Sequence, residues 1–162
     1  MGMYTELILG CSLSKETPRI LIEALDLVIN QNKKPKYENP KNYEEKIYNE
    51  RFINQTIPEK EIEEFDNKYN LCRIIYSGSY YFGCAESKPS FYRDEITGEY
   101  RLGFRSNCKN GGTIESLLEY MEPYIIQGSG PSDIYAYVQY EEDEFPTIYS
   151  LKYGKTSVTS TD

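Results

Sequence analysis

The sequence predicts an α+β fold: a mainly antiparallel sheet of about six strands with two main helices on one face. Three observations carry this. An alternating N-terminal strand runs directly into a helix that begins at Thr17-Pro18. A second amphipathic helix follows Thr113. Around the second helix, short strand-like segments are separated by turn residues. A ferredoxin-like variant is the nearest named arrangement, with a helical insert after the first helix.

The first strand is Tyr4 to Leu9. Thr5, Leu7, Leu9 and Cys11 share one face, and Tyr4, Glu6 and Ile8 the other. Thr17 is a favourable N-cap and Pro18 suits the first helical position. Leu21, Ala24, Leu25 and Val28 then recur as one apolar stripe, and the Asn30 to Pro35 run ends the helix. Residues 33–70 read as a polar insert rather than a second domain, because their few apolar side chains cannot bury a core. Within it, Tyr43, Ile47 and Tyr48 suggest one short helical turn. Pro58 followed by Glu59, Glu61, Ile62 and Phe65 suggests another, with acids favourably placed in its first turn.

Leu71 to Tyr76 reads as a compact apolar strand, followed by the aromatic segment Ser77 to Gly83. Phe91-Tyr92-Arg93 and Tyr100 to Arg105 flank the hairpin loop Asp94 to Glu99. On the returning strand Tyr100, Leu102 and Phe104 alternate with Arg101, Gly103 and Arg105, which predicts one buried face and one cationic face. In the second helix, Thr113 is placed to cap, Ile114, Leu117, Leu118, Met121 and Ile125 form the stripe, and Pro123 disturbs the end. Gly128 to Pro131 is a loop. Ile134 to Tyr140 and Thr147 to Tyr153 form a closing hairpin around Glu141 to Pro146. Residues 1–155 are thus expected to form a single domain, and 156–162 a frayed tail.

Composition narrows the function classes. The chain has 162 residues and a formal net charge of −8, so long-range repulsion from phosphates argues against direct nucleic-acid binding. It contains no His, which removes the commonest general base and the commonest metal ligand. Cys11, Cys72, Cys84 and Cys108 are widely spaced without a C-x-x-C pair, the pattern of buried thiols in a reducing compartment rather than of a zinc site. No signal peptide and no apolar run of spanning length is seen, so a cytoplasmic location without membrane contact is expected. No cofactor, metal site or catalytic pair is assigned. Tyr is unusually frequent, 17 residues, and its amphipathic ring suits either half-wet sheet faces or a contact surface.

Two sets of candidate residues follow. The acidic tip Glu141, Glu142, Asp143 and Glu144, with the aromatic residues Tyr80 and Tyr81, suits docking on a basic partner. Against this stands a solvated hairpin loop and ordinary core packing. Arg101 and Arg105, joined by Arg93 across the hairpin and by the Gly111-Gly112 turn, form the alternative, a grip on a phosphate or carboxylate ligand. The competing reading of the arginines is a sheet face salt-bridged to neighbouring acids.

Met3 to Ile8, Thr17-Pro18 and Ser77 to Gly83 together resemble a loosely defined group of small phage and prophage proteins. The group carries no activity that transfers to a residue here. The resemblance implies a context, a bacterial cytoplasm in which small acidic proteins bind and block a host protein, defence nucleases included. The expected function is therefore a non-enzymatic binding or inhibitory protein with a basic host partner. The alternative is a protein that binds or sequesters a small molecule or nucleotide phosphate.

Overall fold

The computed structural model describes residues 4–30, 51–76, 89–109 and 112–157. It has an α+β fold built on strand β1 (Tyr4–Leu13). Alternation along β1 buries Thr5, Leu7, Leu9, Cys11 and Leu13 and leaves Tyr4, Glu6 and Ile8 on the other face. Helix α1 (Arg19–Asn30) follows. The carbonyl of Pro18 accepts from the Leu21 and Ile22 N–H groups, so Pro18 rather than Thr17 stands at the helix start. The Thr17 hydroxyl instead donates to the Ser14 carbonyl at 2.7 Å.

Helix α2 (Glu59–Tyr69) begins after Pro58, with Glu59 and Glu61 in its first turn, and ends at Asn70 in the left-handed conformation. Residues 71–76 form helix α3 (Leu71–Tyr76), not the strand the sequence predicts. The reversal at Asn70 restarts the helix: the Asp66 carboxylate accepts from the Cys72 N–H at 2.8 Å and the Asn70 carbonyl from the Ile74 N–H at 2.8 Å. Leu71, Cys72, Ile74 and Ile75 are buried, a spacing that fills one side of a short helix. A six-residue run that is apolar apart from Arg73 does not distinguish a buried strand from a buried helix, and here tertiary context decides. The suggested turn at Tyr43, Ile47 and Tyr48 and the aromatic segment Ser77 to Gly83 lie outside the described residues.

The hairpin of β2 (Ser90–Arg93) and β3 (Tyr100–Lys109) forms as expected. Helix α4 (Ile114–Met121) buries Ile114, Leu117, Leu118 and Met121, but Thr113 makes no side-chain capping bond. A 3-10 turn over Glu122–Tyr124 takes up Pro123, so Ile125 belongs to the next strand, β4 (Ile125–Gly128). Strand β5 (Ile134–Tyr140) pairs with β6 (Thr147–Ser150). The expected strand 147–153 is divided. The chain turns at residues 151–153, where the Ser150 hydroxyl accepts from the Lys152 N–H, and returns as β7 (Gly154–Ser157). Part of the expected tail is therefore ladder.

Among the described residues the sheet has seven strands. The order is β2-β3-β1-β5-β6-β7, with β4 also on β1, and every pairing is antiparallel. Within it, β1-α1-β2-β3-α4-β5 keeps the order and directions of a ferredoxin-like sheet. Strands β6 and β7 extend one edge, and α2 and α3 are inserted between α1 and β2. The helices cover the face of Leu7, Leu9, Leu102 and Phe104 in one contiguous core. On the opposite face, termed the open face, Ile8, Tyr92 and Arg105 are exposed, while Ser12 is buried. At the β4–β5 corner Ser132 and Asp133 both have positive φ, 56° and 55°. A Cβ on Gly128 would lie 2.4 Å from the Asp133 carbonyl carbon, so the corner admits only glycine there.

Two carboxylates are sealed within α1. Glu23 and Asp26 are both 0% exposed. Glu23 accepts from the Ile57 N–H at 2.8 Å, from the Thr56 hydroxyl at 2.9 Å and backbone N–H, and from Arg19 at 3.2 Å. Asp26 accepts from Arg51 Nε at 2.7 Å and Asn30 Nδ2 at 2.8 Å, and the same Asn30 amide reaches the Phe91 carbonyl at 3.0 Å. Residues 51–57, α1 and β2 are thus tied by charge-assisted bonds.

Removing Asp26 leaves the Arg51 guanidinium, whose side chain is only 15% exposed, without its carboxylate. Asp26→Ala is expected to cost about 3–5 kcal/mol in urea denaturation, the penalty for an uncompensated buried charge; a loss below about 1 kcal/mol would reject the network as an anchor. Burial raises the Glu23 pKa, but the donors from Thr56, Ile57 and Arg19 outweigh it, so the carboxyl lies below its ordinary value. Glu23 therefore stabilises the fold fully above the unfolded-state pKa of about 4.3, and that stabilisation disappears as pH falls through the lower folded value. Urea midpoints measured from pH 7 down to pH 3 should fall more steeply for the natural chain than for Glu23→Gln.

Candidate functional site

The acidic tip is fixed to the sheet. At the end of β5 the Glu141 N–H donates to the Tyr4 carbonyl at 3.0 Å, and the Tyr4 N–H donates back to Glu141 Oε2 at 3.0 Å. The Asp143 N–H closes onto the Tyr140 carbonyl at 3.0 Å, while the Gln139 amide holds the Asp143 carbonyl at 2.6 Å. Glu141, Glu142, Asp143 and Glu144 are all exposed. Among the described residues no Lys or Arg pairs with Glu142, Asp143 or Glu144. Desolvation, followed by the charges of Glu142, Glu141 and Asp143, raises the Tyr140 hydroxyl above its ordinary pKa. Tyr80 and Tyr81, the aromatic part of this candidate, lie outside the described residues.

The arginines are distributed differently from the expectation. Arg101 and Arg105 do share the open face, with Gly103 between them. Arg93 pairs with Tyr100, so alternation sets it with Phe91 on the other side of the sheet. Both open-face guanidinium groups are engaged. Arg105 Nε donates to Glu6 Oε1 at 2.9 Å, and its Nη2 reaches the same oxygen. Arg101 bonds the Ser12 hydroxyl and lies 3.9 Å from both Asp94 and Glu99. Gly112 is exposed before α4, and a Cβ added there would meet nothing within 4 Å. Gly111 lies outside the described residues.

Much of the aromatic surplus packs. Phe65, Tyr69, Tyr120 and Tyr124 form a chain of ring contacts, with centroids 4.9–6.2 Å apart, where α2 meets α4 and the 3-10 turn. Tyr92, 53% exposed, and Ile8, 39% exposed, stand on the open sheet face instead. Sequence reading did not single out this pair as a surface, although both fall opposite the buried residues in their alternating strands.

Cys11, Cys72 and Cys108 are buried. Cys84 lies outside the described residues. Among the described residues no group of His, Cys, Asp and Glu is arranged to hold a metal ion, and no helix is long and apolar enough to cross a membrane. Comparison with protein-family models, curated proteins and solved structures gave no match.

Burial pushes the Cys11 thiol up to about 12 and raises Cys108 as well. Both should resist an aromatic disulfide reagent at pH 8 in the native protein and react on unfolding in urea, with modified positions located by peptide mass spectrometry. Native labelling of either within minutes would show that the core opens far more readily than its packing implies.

Proposed function

We propose that this protein is a non-enzymatic binding protein that docks its acidic β5–β6 turn on a basic surface of a partner protein. The observation that carries the reading is the turn itself. Glu142, Asp143 and Glu144 are exposed, have no cationic partner among the described residues, and stand on a loop pinned to β1. Their charge is available to an incoming Lys- or Arg-rich surface, and the pinned backbone limits the ordering cost of association. The net charge of −8 adds long-range attraction for such a partner. In keeping with the resemblance to small phage proteins, the partner is a bacterial host protein, and occupation of its basic surface is the inhibitory act. The alternative, a phosphate-binding site at Arg101 and Arg105, draws less support because carboxylates or a hydroxyl already take up both guanidinium groups.

The test is a tagged pull-down from nuclease-treated bacterial lysate at low and high salt. It compares the natural chain with the triple variant Glu141→Gln, Glu142→Gln, Asp143→Asn. The expected outcome is a stoichiometric basic protein that is lost at high salt and retained about tenfold less well by the variant, the scale of a few rim charges. Identical retention by both chains would reject the turn as the interface. A thermal upshift with phosphorylated metabolites, in the absence of any captured protein, would favour the ligand alternative.

A further inference from the structure

A turn of four residues is too small to hold a stable complex by itself. A specific interface removes roughly 800 Å² from each partner, and its affinity comes mainly from apolar and aromatic anchors near its centre, with charges at the rim. The tip supplies the rim. The centre has to be sought on surface continuous with it.

That surface is the open sheet face. Tyr4, whose backbone pins the tip, begins the same strand that presents Ile8, about 13 Å further along at strand rise. Ile8 lies opposite Arg105 on β3 and opposite Tyr137 on β5. Beyond it Tyr92, on β2, lies opposite Arg101. From the tip to Tyr92 is roughly 25 Å along the strands, within the width of one standard interface.

The charges on this face are arranged unevenly. Glu6 neutralises Arg105, and Arg101 is drawn towards Asp94 and Glu99, so Ile8 and Tyr92 present aliphatic and ring surface beside guanidinium groups whose charge is offset, with the Gly10–Gly103 pair between them. At the tip end Glu142, Asp143 and Glu144 outnumber the one cation of this face there, Lys109, which lies opposite Tyr4, so the negative charge of the face is concentrated at that end. A complementary surface therefore has a Lys/Arg cluster at one end and an apolar or aromatic side chain beyond it.

Gly103 lies within this face. Its φ is not positive, and the nearest atom to a Cβ added there would be the Leu9 carbonyl oxygen at 3.9 Å. The fold therefore does not require glycine at a strand-interior position, where glycine weakens the strand. Filling the position tests the outer surface without disturbing the core.

We propose that the open face around Ile8 and Tyr92 is the energetic centre of the interface, and that it receives an apolar or aromatic side chain of the same basic protein that the acidic tip engages. The inference rests on the docking function proposed above and specifies the chemistry of the partner.

The experiment places the photo-crosslinker p-benzoylphenylalanine at Tyr92 and irradiates the tagged chain in nuclease-treated bacterial lysate, and the joined peptide is sequenced. The expected adduct is a single peptide from a basic protein, with an apolar or aromatic residue at the join and Lys or Arg nearby. Gly103→Leu should reduce that adduct at least tenfold while leaving the urea midpoint unchanged within error. Gly103→Ala should match or raise the midpoint, and a clear fall would overturn the claim that the fold leaves this position vacant. With p-benzoylphenylalanine at Tyr92, an adduct unaffected by Gly103→Leu, an adduct to a second copy of this chain, or no adduct would each overturn the proposed centre. If the pull-down still shows a salt-sensitive partner lost in the tip variant, the docking function survives and the centre alone fails. If neither the tip variant nor Gly103→Leu alters capture, both fail.

Discussion

Glu23 and Asp26 are two carboxylates three residues apart on a helix whose residues from Leu21 to Asn30 are all buried, and the helical layer is organised around satisfying them. Neither charge is tolerable there alone. Glu23 reaches the backbone of Thr56 and Ile57, and Asp26 reaches Arg51, so the chain returning from the insert is laid against α1. Asn30 passes the connection on to the Phe91 carbonyl in β2. An apolar helix could slide or rotate over the sheet at small cost. One that must keep five directed bonds to residues 51–57 and β2 has a single seating, and the network contributes that specificity even where a hydrophobic replacement of similar volume would match its stability.

Among the described residues the same seating keeps the helices to one face of the sheet. Strand β1 pairs with β3, β4 and β5, so its alternation sets the inside and outside of the whole sheet. Acids and arginines meet across the open face because register brings their strands together, and those pairs consume the charge that a ligand site would have needed. The tip lies beyond the last paired row and keeps its charge. The contrast between a neutralised face and an unneutralised end follows from where the ladder stops.

The sequence was most informative where one periodicity ran long enough to be unambiguous. The alternation of β1 and β3, the apolar stripe of α4 and the Asp94 to Glu99 loop are all legible. Leu71 to Tyr76 was not, because a six-residue run that is apolar apart from Arg73 satisfies either period and the decisive left-handed turn at Asn70 leaves only a weak mark in sequence. The division of β6 from β7 depends on the Ser150 hydroxyl and on Gly154 at positive φ, neither of which stands out in a polar run. Glu23 and Asp26 resemble any polar side of an amphipathic helix, and only the return of residues 51–57 shows that this side faces inward. Of the candidate residues, the tip was readable from composition. The opposed placement of Arg93 required the hairpin register, and Ile8 and Tyr92 became a surface only once the helices were known to lie on the other side.

The β4–β5 corner has a consequence for recognising relatives of this chain. Surface positions on the insert and tip can drift widely, since little packing constrains them. Gly128 has no such latitude, because any side chain would meet the backbone of Asp133. A descendant that keeps this corner keeps glycine there, in register with the third residue from the end of its first strand. Ancestry erased from the rest of the sequence would still be marked at that crossing, by one obligatory small residue at a fixed distance from a helix bearing two inward acids.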